Sequence, residues 1–263
     1  MTSIPTTPTR HPELMNSLTE LGLHGLAGSL DDFLADASKR KSAPLQVIED
    51  LAVLEQRERA LRSLERRKTT ARVGAFKPMA DFDWNWPEFI DRPLVERALG
   101  LSFAGEGANV VLTGAHGLGK TMILKNIGHN AVLAGHSVLF VTAAKMLNDL
   151  SAQDSARALE RRIKHYVNRS VLCIDELGYL SYDNRGADLL FEVVSRRHEL
   201  RRPILLSTNL AFKEWHTVFP NATCTVALVD RLTHRADVLK VKGESWRRKE
   251  SQERNQTRRK PKS

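Results

Sequence analysis

The run Asn109-Val110-Val111-Leu112-Thr113-Gly114-Ala115-His116-Gly117-Leu118-Gly119-Lys120-Thr121 decides the fold. An apolar, strand-like segment passes directly into a glycine-rich loop in which every fixed place of the phosphate-binding pattern is filled. Glycines let consecutive backbone N–H groups turn toward one point. Phosphate oxygens can be held there by amides and by the positive end of the helix that begins near Lys120. The lysine adds a point charge, and the threonine hydroxyl can complete the shell of Mg2+. The order strand, loop, helix is the context in which this pattern means nucleotide binding. Gly114, His116, Gly117, Leu118, Gly119, Lys120 and Thr121 are the expected binding set for ATP or GTP, and no residue here reads the base.

Downstream, short apolar runs alternate with helical patterns. Strands are expected at 110–113, 137–142, 171–174 and 203–207, with helices at 121–134, 143–150, 155–167 and 186–197. Such alternation means parallel strands joined by helical crossovers, with helices on both faces. Val171-Leu172-Cys173-Ile174 ends in Asp175-Glu176. At this distance after a phosphate loop, Asp175 is the expected Mg2+ ligand beside Thr121, and Glu176 lies where a carboxylate polarises attacking water. The next apolar strand ends in Ser207-Thr208-Asn209, and the Asn209 amide can orient that water or cap a turn.

Upstream, leucines from Leu14 to Leu34 recur at helical spacing with a break expected around Gly22 to Gly28, and a longer helix is expected from about Pro44 to Thr70. The domain reading is 1–12 disordered, 13–80 a small all-helical module, 81–91 a linker, 92–247 the α/β nucleotide-binding domain and 248–263 a basic tail. The linker residues Phe82, Trp84 and Trp86 can wall a base pocket or simply pack on the core. A formal net charge of +9 points to a polyanionic partner, and Arg247 to Ser263 carries eight basic residues against two acidic ones. Arg66, Arg67 and Lys68 on the N-terminal helices, together with Arg161, Arg162, Lys164, Arg196, Arg197 and Arg201, are the candidate phosphate-facing surface, although solvated helix ends explain them almost as well. Two cysteines give no disulfide framework and fit a reducing, cytoplasmic setting. The first ten residues lack the apolar core of a signal peptide, and no run is long enough to span a bilayer.

Taken together, Gly114 to Thr121, Ile174-Asp175-Glu176-Leu177-Gly178-Tyr179, Ser207-Thr208-Asn209-Leu210, Asp230-Arg231-Leu232-Thr233-His234 and Gly243-Glu244-Ser245-Trp246-Arg247 resemble the IstB-like helper ATPases of bacterial insertion sequences, relatives of the DnaC helicase loaders in the AAA+ class. The resemblance implies a P-loop NTPase fold of AAA+ type and ATP with Mg2+ as cofactors. It also implies catalytic roles for Glu176, Asn209, Arg231 and Arg247. Arg231 would be a finger presented to a neighbouring subunit, and Arg247 would act on its own site. The implied protein forms a homo-oligomer with nucleotide at its interfaces, binds and bends double-stranded DNA with little sequence preference, and stimulates a partner transposase in the bacterial cytoplasm at the nucleoid. The rival readings are a replicative helicase loader and a nucleotide-switched DNA-binding protein that does not hydrolyse.

Overall fold

The computed structural model describes residues 11–179, 183–219, 222–246 and 248–249, without the side chains of 222 and 223. Arg247 and the greater part of the basic tail lie outside the described residues, as do residues 1–10. The chain divides into two compact units at Arg66/Arg67.

The first unit contains α1 (Pro12–Glu20), α2 (His24–Arg40) and the greater part of α3 (Pro44–Ala71). Gly22, at φ +75°, turns the chain out of α1. The expected break through Gly28 does not occur, because α2 starts at His24 and runs through both Gly25 and Gly28. Packing explains this: a Cβ at Gly25 would sit 2.3 Å from the Glu58 Cβ, so glycine is what lets α2 approach α3. Beside that crossing the buried Glu55 carboxylate accepts from the Leu26 N–H at 2.9 Å, from Arg59 Nε at 2.7 Å and from Arg62 at 3.1 Å. Burial works against its charge, but the hydrogen bonds from Arg59 and Leu26 and the charges of Arg59 and Arg62 outweigh it. Its pKa is held below the usual carboxylate range.

The second unit is built on one sheet whose strands are β1 (Phe89–Ile90), β2 (Asn109–Thr113), β3 (Val138–Thr142), β4 (Val171–Leu177), β5 (Ile204–Thr208) and β6 (Ala236–Lys242). Their order is β1-β6-β2-β5-β4-β3; β1 runs antiparallel at one edge and the others are parallel. This is the AAA+ type of α/β fold expected from the sequence. The phosphate-loop strand β2 lies between the two strands that come last in the chain. Strand order reverses there, which opens a crevice at the carboxyl ends. The helices of this unit are α4 (Arg92–Leu99), α5 (Ser102–Glu106), α6 (Lys120–Leu133), α7 (Ala143–Ser151), α8 (Ala156–Val167), α9 (Asn184–Glu199) and α10 (Ala222–Thr233).

One face of the sheet presents Val111, Leu139, Leu172, Ile174 and Leu206 to a continuous core shared with α7, α8, α9 and α10. Cys173 points to the opposite face, where a Cβ at Gly128 of α6 would meet its sulfur at 3.2 Å. Burial pushes the Cys173 thiol up to about 12, so it acts as a packing group. Side chains cap the helices: Asp91, Thr142, Ser155 and Asp183 accept backbone N–H groups of Leu94, Lys145, Ala158 and Gly186. The buried Asn109 starts β2 by donating to Leu232 O at 3.0 Å and accepting from the Ile204 N–H at 2.8 Å.

Arg197 corrects the expected basic surface, because its side chain is fully buried. Its guanidinium donates to the carbonyls of Tyr166, Val167, Arg169, Ser170 and Pro203 at 2.6 to 3.4 Å, stitching the end of α8 to the approaches of β4 and β5. Burial, then the nearby charge of Arg202, push its pKa down to about 9, which still leaves it protonated at neutral pH. Arg197→Ala strips five carbonyls of a donor, and a loss of at least about 3 kcal/mol is expected in urea denaturation; a loss below about 1 kcal/mol would contradict this role.

Between α7 and α8, Asp149 accepts hydrogen bonds from both Arg162 and Tyr166. Burial disfavours its charge, but those bonds and the Arg162 charge hold its pKa below the ordinary carboxylate range. A depressed folded-state pKa gives stability that is complete above the unfolded value and is lost as pH falls through the folded one. Thermal melts between about pH 5 and 2 should therefore fall less steeply for Asp149→Asn than for the wild type. Parallel curves would show that Asp149 does not contribute.

Candidate functional site

The loop between β2 and α6 is held from three sides. Gly114, Gly117 and Gly119 have φ of +149°, +77° and +85°, values that turn the loop back on itself and that other residues adopt only with strain. A Cβ at Gly114 would lie 2.1 Å from Val241 O, at Gly117 2.1 Å from Ser245 Oγ and at Gly119 2.6 Å from the Phe82 ring. Trp246 N–H donates to Gly117 O at 2.9 Å, and Gly114 N–H donates to Thr208 O at 3.3 Å. Lys120, 9% exposed, reaches back across the loop to the carbonyls of Gly114 and Ala115 at 2.6 Å each.

The acidic pair sits beside the start of α6. Thr121 Oγ1 donates to Asp175 Oδ1 at 3.2 Å, and Ser207 Oγ donates to the same oxygen. Asp175 is 3% exposed. β4 continues past the expected end at Ile174 to Leu177, with a register shift against β5 between Ile174 and Leu177. Inside that shift Glu176 takes φ +61°, its N–H bound to Ser207 Oγ at 3.0 Å and its side chain exposed to the cleft. A non-glycine residue in the left-handed region carries strain, and a bulge is a means of re-aiming one side chain. The two neighbouring acids thus face different surroundings, Asp175 toward the helix start and Glu176 toward the open cleft.

That cleft has a volume of about 630 Å³, within the range of small-molecule sites. Its lining includes His116 to Met122, Glu176, Ser207, Thr208 and Asn209 along the loop and strand ends. Phe82, Trp86 and Trp246 supply aromatic surface to the same cleft. Trp86 Nε1 donates to Glu244 O at 2.9 Å, and its ring meets Trp246 edge-on at 5.5 Å. Trp84 packs edge-on against Phe82 and under the Arg92 guanidinium. His116 meets the Tyr179 ring edge-on at 5.6 Å. The oxygen donors Thr121 and Asp175 suit a hard divalent cation. Among the described residues no group of three or more His, Cys, Asp or Glu is arranged to hold a metal.

A family model described as the IstB-like ATP binding protein matches residues 16–254. The chain belongs to that family. It is 34% identical over 241 residues to the IS21 insertion-sequence ATP-binding protein of Pseudomonas aeruginosa, covering 90% of this chain and 89% of the relative. The corresponding IS232 protein of Bacillus thuringiensis subsp. berliner is 31% identical, covering 91% and 96%. Among solved structures, DnaI aligns with a TM-score of 0.53 at 18% identity, over 66% of this chain and 90% of its own. The DnaC helicase loader aligns at 0.50 with 15% identity, over 65% and 97%. These likenesses show the fold alone, a mixed α/β fold of AAA+ type.

None of the other expected residues that the structure describes is among those lining the cleft. Arg231 of α10 stacks its guanidinium over the Phe191 ring at 4.4 Å, and its Nη1 is buried with no hydrogen-bond partner among the described residues. Of the basic cluster, Arg196 pairs with Glu160 at 2.9 Å and Glu192 at 2.7 Å, Lys164 pairs with Glu160 at 3.4 Å and Arg162 pairs with Asp149. Arg161, Arg201, Arg66 and Lys68 are exposed, and Arg67 Nε donates to Val132 O at 3.3 Å. No described helix is long and apolar enough to cross a membrane. β6 is not among the strands expected from the sequence, although Leu239 and Val241 buried between exposed Lys240 and Lys242 give a period-2 signal.

The strain at Glu176 has a measurable consequence. Glu176→Gly should raise stability by about 0.5–1 kcal/mol in denaturant melts, since glycine takes this φ without penalty. A variant less stable than the wild type would mean that the left-handed backbone is not the dominant cost.

Proposed function

We propose that this protein is an ATP-hydrolysing transposition helper that assembles on duplex DNA. The observation that carries the reading is the hydrogen-bonded set at the loop's end, in which Thr121, Asp175 and Ser207 converge while the adjacent Glu176 turns into the cleft. In this reading the triphosphate lies along Gly114 to Lys120, and the base stacks on the aromatic surface of Phe82, Trp86 and Trp246. Thr121 and Asp175 would hold Mg2+, which when bound neutralises charge on the β- and γ-phosphates. Glu176 takes the proton of a water whose oxygen attacks the γ-phosphorus as the bond to the bridging oxygen breaks. The products are ADP and phosphate. Asn209, at the end of β5, orients that water.

Arg231 acts on a different copy. Its guanidinium packs on Phe191 and is not among the residues lining this chain's cleft, so a phosphate that it stabilises must belong to a neighbour. A nucleotide closed by two subunits couples assembly to the nucleotide state. Arg247 follows Trp246, whose N–H is bound to the loop, and is assigned to the same site as its own subunit's sensor. The net charge of +9 supports a duplex partner held by its phosphates with little sequence preference. The partner transposase is inferred from the insertion-sequence proteins that match at 31–34% identity over about nine-tenths of this chain. Helicase loaders match in fold alone, which favours the helper over the loader reading.

Light scattering and electron microscopy with duplex DNA should show oligomers in ATP or a non-hydrolysable analogue and not in ADP. Glu176→Gln should keep assembly and lose at least about a hundredfold in phosphate release. Arg231→Ala should lose both while single subunits still bind nucleotide. Equal assembly in ADP would contradict the nucleotide switch, and normal hydrolysis by the Arg231 variant would place the finger elsewhere.

A further inference from the structure

The first unit contains a recess of its own, which shares no lining residue with the nucleotide cleft. It encloses about 480 Å³ and is lined by Gly22, His24, Arg59, Arg62, Ser63 and Arg66. Among the described residues no acidic side chain lines it. Arg59, Arg62 and Arg66 succeed one another along one face of α3, and two of them are positioned before any ligand arrives. Arg59 is fixed by Glu55 at 2.7 Å and by Gly22 O at 3.2 Å, and Arg62 by Glu55 at 3.1 Å. The single carboxylate of Glu55 orients two guanidinium groups while cancelling only one of their charges. Both stay substantially exposed, at 56% and 42%. Planar guanidinium forks held in place are the arrangement that recognises phosphate oxygens.

From these observations we infer that the Arg59–Arg62–Arg66 recess is a backbone-phosphate site for duplex DNA. The inference rests on the proposed DNA-binding function and gives it a specific contact on the helical unit. Spacing supports a nucleic-acid strand over a lone anion. Seven residues of helix separate Arg59 from Arg66, about 10 Å of rise, a reach longer than one small anion and suited to successive phosphates of a strand. His24 and Ser63 at the wall add groups able to donate to phosphate oxygens. Contacts to backbone phosphates position the duplex without selecting its sequence.

The test is a salt titration of duplex binding by the full-length protein, followed by fluorescence anisotropy of a labelled duplex. Arg62→Ala/Arg66→Ala should bind duplex at least about tenfold more weakly near 0.15 M salt and flatten the slope of log K against log salt by about 1.8. Arg62→Lys/Arg66→Lys should restore most of the slope, because counterion release depends on charge. Should the double alanine variant melt early, Arg66→Ala alone carries the test with a slope change of about 0.9. A slope unchanged in folded alanine variants overturns the inference, and so does a lysine variant that behaves like alanine. Loss of inorganic pyrophosphate binding with an intact duplex slope would assign the recess to a free anion and also overturn it. If the wild type itself fails to bind duplex in any nucleotide, the DNA-binding reading falls first, an outcome distinct from wild-type binding that the variants leave unchanged.

Discussion

The structure depends on a loop that has no room for side chains at three of its turns. Gly114, Gly117 and Gly119 take positive φ where a Cβ would run into Val241 O, Ser245 and Phe82. Those contacts come from β6, from the segment after it and from the segment before β1, so residues far apart in sequence close around one loop. Each neighbour can approach because a methyl group is missing. The close approach in turn defines the loop conformation that carries Lys120 into the carbonyls of Gly114 and Ala115.

The sheet order turns this local constraint into a site. Because β5 lies between β2 and β4, Ser207 at its end can hydrogen-bond both Asp175 and the Glu176 N–H of β4, while Thr208 O receives Gly114 N–H from the β2 side. β5 therefore ties the acidic pair to the phosphate loop. The register shift at Glu176 then separates two consecutive carboxylates by environment. A regular strand would also send them to opposite faces, but it would not combine a buried Asp175 with a Glu176 that opens on the cleft.

Much of this was legible in the chain itself. The glycine pattern with Lys120 and Thr121 and the period of the apolar runs gave the parallel sheet and its helices, because those signals are local and strong. Asp175-Glu176 was legible as a pair but not as a bulge, since the register shift depends on how β5 pairs with β4. Arg197 looked like surface charge because composition cannot show that five carbonyls converge on one point. Gly25 looked like a helix breaker because the reason for glycine there is Glu58, on α3 and far away in sequence. The recess in the helical unit is hidden for a similar reason: Glu55, which orients Arg59 and Arg62, reads as an ordinary helix residue.

The account as a whole rests on the loop's glycines serving the grip on a triphosphate. Calorimetric titration of Mg-ATP into the wild type and into Gly117→Ala tests this directly, since a Cβ there combines φ +77° with an approach of 2.1 Å to Ser245 Oγ. The account predicts saturation at one nucleotide per chain in the wild type and affinity at least about tenfold weaker in the variant, a cost of about 1.4 kcal/mol or more. Equal affinity in the two proteins, or no saturable heat in the wild type, would contradict it.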